Sequence, residues 1–126
     1  MNDARWTAVA ELGTPCFVYD VGATVRRVAT LRDACGPGVL IRYACKANAL
    51  PSLVAALRPH LDGADVTSLG ELRAALDAGF VGRGLGLTGP GKEPVAVRAI
   101  IEAGGEVVVE SVEEIAEVAA LAAELE

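Results

Sequence analysis

The sequence predicts an α/β fold assembled from parallel β-strand and α-helix units. Three observations carry this. After Gly36 short aliphatic runs alternate with segments of helical periodicity. The expected strand ends, Lys46, Ser68, Thr88 and Ser111, follow one another at intervals of 22, 20 and 23 residues. Each interval holds one helix and no hairpin signal, so the strands pair in parallel through right-handed crossovers. An open doubly wound sheet and part of a (β/α)₈ barrel both satisfy this pattern. A complete barrel takes about 250 residues, and 126 residues with four units would make half of one.

Taken in order, Pro15 to Tyr19 reads as a strand, and Asp20 can cap a helix running to about Ala34. Residues 1–35 are thus expected to form a leading strand and helix, and residues 36–126 four βα units. Val39 to Cys45 is strand-like, and Leu50 to Leu61 is helical, with apolar residues at Leu50, Leu53, Val54 and Leu57. Ala64 to Thr67 is a short strand, and the helix from about Leu69 to Ala78 stops at Gly79. Gly84 to Thr88 is the third strand, and the helix from Glu93 to Ala103 ends in Gly104-Gly105. Glu106 to Glu110 is the fourth strand, and Val112 to Leu125 the last helix. Ser68 with Glu71, and Ser111 with Glu114, have capping-box spacing. The last helix runs to Glu126 without a stop signal or a return strand, so the chain is expected to be cut rather than finished.

Composition narrows the function. Hydrophobic residues make up 52% of the chain and only five residues are aromatic, so the core is aliphatic and alanine-rich. A net charge of −6 argues against a nucleic-acid surface. No stretch approaches the ~18 apolar residues of a membrane span, and the N-terminus lacks an apolar signal core, so a cytoplasmic protein is expected. Cys16, Cys35 and Cys45 have neither paired spacing nor an even count. They read as small buried hydrophobes in a reducing compartment. His60 is the only histidine, which argues against a zinc site and against Ser-His or Cys-His catalysis.

Lys46 stands out at the end of an apolar strand, where a charge is usually unwelcome. Strand alternation sets Leu40, Arg42, Ala44 and Lys46 on one face and Ile41, Tyr43 and Cys45 on the other. A desolvated lysine loses proton affinity and becomes an amine nucleophile able to form Schiff bases with aldehydes. A strand-end lysine extending its ammonium into water fits the same position.

Two phosphate-binding patterns overlap between Gly84 and Lys92. Gly86 to Lys92 matches GxxxxGK, but a P-loop needs Ser or Thr next, and Glu93 and Pro94 follow. Gly84-x-Gly86-x-x-Gly89 spells a dinucleotide fingerprint, yet its first two glycines fall inside the strand rather than after it. A tight βα turn, with Pro94 opening the next helix, accounts for these glycines and for Lys92.

The order of motifs resembles that of the fold-type III pyridoxal-phosphate enzymes, in the diaminopimelate/ornithine decarboxylase group. The matching residues are Gly13-Thr-Pro-Cys-Phe-Val-Tyr-Asp20, Tyr43-Ala-Cys-Lys-Ala-Asn48, Gly63-Ala-Asp-Val-Thr-Ser-Leu-Gly-Glu-Leu72, Gly89-Pro-Gly-Lys92 and Val109-Glu-Ser111. They cover nearly the whole chain. Alanine racemases are similar at Lys46-Ala-Asn-Ala but continue Tyr-Gly-His-Gly, where this chain has Leu50-Pro51-Ser52.

The resemblance implies about half of an alanine-racemase-like TIM barrel. It implies pyridoxal 5'-phosphate as cofactor, Lys46 as the lysine that holds it in a Schiff base, and Ala44 and Asp65 as residues beside it. The implied reaction is decarboxylation of a small amino-acid substrate, in a homodimer. The family's later glycine-rich phosphate loop, ring-stacking histidine and C-terminal β-domain have no counterpart in these 126 residues. By that standard the chain alone is expected to be inactive and weakly stable. A split-enzyme or non-catalytic subunit of the same fold, and a related racemase, are the alternatives.

Overall fold

The computed structural model describes residues 3–125, with side chains from Trp6 onward. Four short strands, β1 (Arg42–Ala44), β2 (Gly63–Val66), β3 (Leu85–Leu87) and β4 (Glu106–Val107), form one parallel sheet in sequential order. Helices α3 (Pro51–Leu57), α4 (Leu69–Asp77) and α5 (Pro94–Glu102) follow the first three strands, and α6 (Val112–Ala123) follows the fourth. Two further helices, α1 (Asp3–Glu11) and α2 (Val21–Cys35), precede the sheet. A strand order that never reverses, with helices on one face, is the progression of a barrel wall rather than of a doubly wound sheet.

Side-chain alternation divides the sheet into two faces. Cys45, Ala64, Val66, Leu85 and Leu87 point outward and are fully buried against Leu53, Val54, Leu57, Leu72, Ala75, Phe80, Ala96, Val97 and Ile100. This aliphatic layer is the core, and Phe80 is its largest fully buried side chain. The inner face carries Arg42, Ala44, Gly63, Asp65, Gly86 and Glu106. Ala44, Asp65, Gly86 and Glu106 are successive register partners, so they form one row across all four strands.

The helices begin where the sequence signals them. Asp20 Oδ1 accepts the Ala23 amide at 2.8 Å, capping α2. Ser68 Oγ accepts the Glu71 amide and Ser111 Oγ the Glu114 amide. In both cases the glutamate reaches past the serine: Glu71 accepts the Thr67 amide, and Glu114 the Glu110 amide. Helix α2 is tied to the sheet by Arg32, which donates to Asp62 at 2.8 Å and to the His60 carbonyl.

Several expectations are corrected. Pro15 to Tyr19 forms no strand, and Phe17 is 90% exposed. A strand needs a neighbouring ladder to bond, and no described strand lies beside this segment. The strand expected over residues 39–45 begins only at Arg42, because Val39 and Leu40 are exposed and the Ile41 amide bonds the Asp62 carboxylate instead. The strand expected over 106–110 is two residues long, being at the sheet edge, though the Val108 amide still reaches the Leu87 carbonyl. Cys16 and Cys35 are exposed; only Cys45 is a buried thiol. Leu50 precedes α3 and is 43% exposed. Helix α1 lies where no element was expected. Among the described residues no helix is long and apolar enough to cross a membrane.

Candidate functional site

Strand β1 ends in a single 3₁₀ turn, Cys45–Ala47, and Lys46 is its middle residue. The motif around it braces this turn from both sides. The Tyr43 hydroxyl donates to the Asn48 carbonyl at 2.9 Å, and Asn48 Oδ1 accepts the Leu50 amide at 3.0 Å, where α3 begins. Cys45 is fully buried beneath the turn. Its thiol is pushed up to about 11, first by burial and then by the Glu71 and Asp65 carboxylates, so it stays protonated and unreactive at neutral pH. Burial likewise raises the Tyr43 phenol, keeping it a hydrogen-bond donor.

The sequence has two lysines, and the structure separates them sharply. Lys92 has a side chain 2% exposed, and its Nζ donates to the Gly89 carbonyl at 2.7 Å and to Glu114 at 2.8 Å. Glu110 accepts the Gly89 amide, so the turns after β3 and β4 are laced together. Lys92 is therefore a structural tie, as the βα-turn reading expects, with no ammonium left for a phosphate. Lys46 is exposed and has no hydrogen bond or ion pair among the described residues.

Ala44 and Asp65 are direct register partners on β1 and β2, and Lys46 follows Ala44 by two residues. The three expected site residues thus gather at one edge of the sheet, where strands of a barrel end and active sites are built. Ala44 is exposed and contributes only a methyl group, leaving open space beside the lysine. Asp65 is half-buried and accepts from Arg42 Nη1 at 3.4 Å through Oδ1, while no described donor reaches Oδ2. Its partner is on the inner face, not at the start of α4, which Ser68 and Glu71 already satisfy.

Arg42 and Glu106 are site-floor residues that motif reasoning did not single out. Arg42 reaches across the sheet: its Nη2 donates to Glu106 at 2.8 Å and to the Arg83 carbonyl at 2.7 Å. The Glu106 hydrogen bond is the largest influence holding the guanidinium above its ordinary range. The available signal was the placement of Arg42 on the Lys46 face of an otherwise apolar run.

These residues fit the aldehyde end of a pyridoxal group: an accessible, unpaired primary amine, a flanking methyl that leaves room for a flat ring, and a carboxylate oxygen still open to a donor. Among the described residues no set of three or more His, Cys, Asp or Glu side chains is gathered for a metal ion.

Comparison with known proteins agrees with the fold. Residues 21–126 match the family described as pyridoxal-dependent decarboxylase, pyridoxal binding domain. The diaminopimelate decarboxylase of Zymomonas mobilis is 36% identical over 121 residues, covering 92% of this chain and 29% of that protein. Among solved structures, a protein of Aquifex aeolicus superposes with a TM-score of 0.85 at 30% identity, covering 95% of this chain and 30% of its own. A point mutant of Helicobacter pylori diaminopimelate decarboxylase, crystallised with L-lysine, superposes with a TM-score of 0.82 at 26% identity, over 95% of this chain and 31% of that one. The chain spans less than a third of the length of each of these relatives.

Proposed function

For a chain that belongs to the pyridoxal-dependent decarboxylases, in their pyridoxal-binding domain, we propose that Lys46 is the residue that holds pyridoxal phosphate, and that the enzyme it serves decarboxylates an amino acid of the diaminopimelate type. The family's cofactor is pyridoxal phosphate, and its members are decarboxylases. The observation that carries the residue assignment is the contrast between the two lysines: Lys92 is buried and paired, Lys46 exposed and unpaired.

When bound, pyridoxal phosphate supplies an electron sink for bond cleavage at the substrate α-carbon. The chain's own residues do the rest of what can be assigned here. Lys46 Nζ would hold the cofactor covalently, and as a free amine it can carry a proton at the edge of the site. Ala44 keeps the space beside it open, and Asp65 Oδ2 offers an acceptor that orients the bound group. Tyr43, Asn48 and the buried Cys45 fix the backbone that carries the amine, so its reach is set by its own four-carbon stem.

The open edges of β1 and β4 support a site completed by further barrel strands. In this reading the phosphate grip and substrate contacts would come from such strands, and a cytoplasmic homodimer acting on a small amino acid is part of the same reading. Replacing each lysine in turn tests the assignment in the protein that carries this chain. Lys46→Ala should abolish both the visible absorbance of bound pyridoxal phosphate and carbon dioxide release from diaminopimelate. Lys92→Met should retain the absorbance in whatever fraction remains folded. Bound-cofactor absorbance undiminished in Lys46→Ala rejects the assignment.

A further inference from the structure

We propose that Arg42 is a positioning residue for the cofactor site, fixing the Asp65 carboxylate in its orientation toward the group that Lys46 holds. This rests on the reading of Lys46 given above and adds a residue to it. The sheet is built to let the arginine cross it. Arg42 starts on β1, pairs with Asp65 of β2 at 3.4 Å, donates to the carbonyl of Arg83 just before β3 at 2.7 Å, and ends on Glu106 of β4 at 2.8 Å. One side chain therefore links β1, β2 and β4 with the turn that leads into β3.

Two glycines make the passage possible. A Cβ at Gly63 would lie 3.0 Å from Arg42 Cγ and 2.5 Å from the Gly84 carbonyl oxygen. A Cβ at Gly86 would lie 2.7 Å from Arg42 Nη1 and 2.7 Å from Asp65 Oδ1. Gly86 therefore leaves the gap that the Arg42–Asp65 pair fills. The glycine that gave the third strand its resemblance to a nucleotide fingerprint is explained by an arginine on another strand.

The geometry divides the labour between the two carboxylates. Glu106 has the shorter contact and anchors the guanidinium; Asp65 has the longer, single-oxygen contact and is held by it. Because Arg42 occupies only Oδ1, the other oxygen remains available on the row that includes Ala44, two residues before Lys46. Losing Arg42 frees Asp65 to rotate and leaves two carboxylates on one face without their cation.

The test uses the protein that carries this chain, with Arg42→Met, Asp65→Asn and the double variant. Three readouts are compared: the thermal midpoint without cofactor, pyridoxal phosphate affinity from its visible absorbance, and the pH dependence of that absorbance. Arg42→Met and Asp65→Asn should each weaken affinity about tenfold, the effect of losing a charge-assisted contact. Both should alter the pH dependence, and the double variant should be no weaker than Asp65→Asn alone. Glu106→Gln, a milder change should Arg42→Met fail to fold, should shift affinity in the same direction by a smaller factor. Arg42→Met or Glu106→Gln with unchanged affinity and pH dependence, whatever its melting point, overturns the proposal. So does a double variant in which the two losses multiply. A wild-type protein that binds pyridoxal phosphate without using Lys46 rejects the underlying reading instead, which separates the two failures.

Discussion

Cys45 and Lys46 are neighbours in sequence with opposite surroundings, and the backbone explains why. Cys45 opens the 3₁₀ turn that follows β1, faces outward and is sealed under the helices, whereas Lys46, the middle residue of that turn, is exposed. The thiol is predicted to be silent: at pH 8, where its elevated value of about 11 leaves it protonated, iodoacetamide should label Cys16 and Cys35 of the native protein and leave Cys45 unmodified. Labelling of all three at similar rates would contradict the buried position. Lys46 was legible as a suspicious lysine and, with the ordered motifs, as a cofactor lysine. Arg42 was visible only as an oddity, because its partners lie 23 and 64 residues away on other strands. No local pattern encodes such a contact. The same limit explains why three cysteines looked alike in sequence and differ in burial.

At the level of elements, starts were easier to read than lengths. Ser68 and Ser111 announce α4 and α6 through local chemistry, since the serine oxygen and the amide three residues on belong to one turn. Ser68→Ala should cost about 1 kcal/mol, as loss of an N-cap does, measured as a lower urea midpoint with an unchanged slope. The ties between turns are stronger. Lys92→Met removes a charge-assisted pair and leaves Glu114 without its cation, so it should lower the urea midpoint further than Ser68→Ala does. An effect of Lys92→Met no larger than that of Ser68→Ala would argue against the buried tie. Strand lengths depended on neighbours instead: Pro15 to Tyr19 has strand-like residues but no described ladder, and β4 is cut short at the sheet edge.

Over the whole molecule, the parallel order of the sheet followed from the constant βα interval, and the helical layer from the aliphatic composition. The charged inner face did not, since a period of two reveals which residues share a face but not what balances them. Charge also makes the fold sensitive to acid. Asp62 is held below its ordinary value, first by the Ile41 amide and then by Arg32, and Glu114 first by Lys92 and then by the Glu110 amide. For a carboxylate with a depressed folded value, the stabilisation is complete above the unfolded value of about 4 and fades as pH falls toward the folded one. The urea midpoint should therefore hold between about pH 7 and 5 and fall below about pH 4. Asp62→Asn should start lower at neutral pH and lose less on acidification; parallel curves for the two proteins would refute this origin.

The most direct measurement is reduction of the pyridoxal-phosphate-loaded protein with borohydride, followed by digestion and mass mapping of its lysine peptides. The account predicts a pyridoxyl group on the peptide containing Lys46 and none on the peptide containing Lys92. A pyridoxyl group on Lys92, or loaded protein whose Lys46 peptide is recovered unmodified, would contradict it.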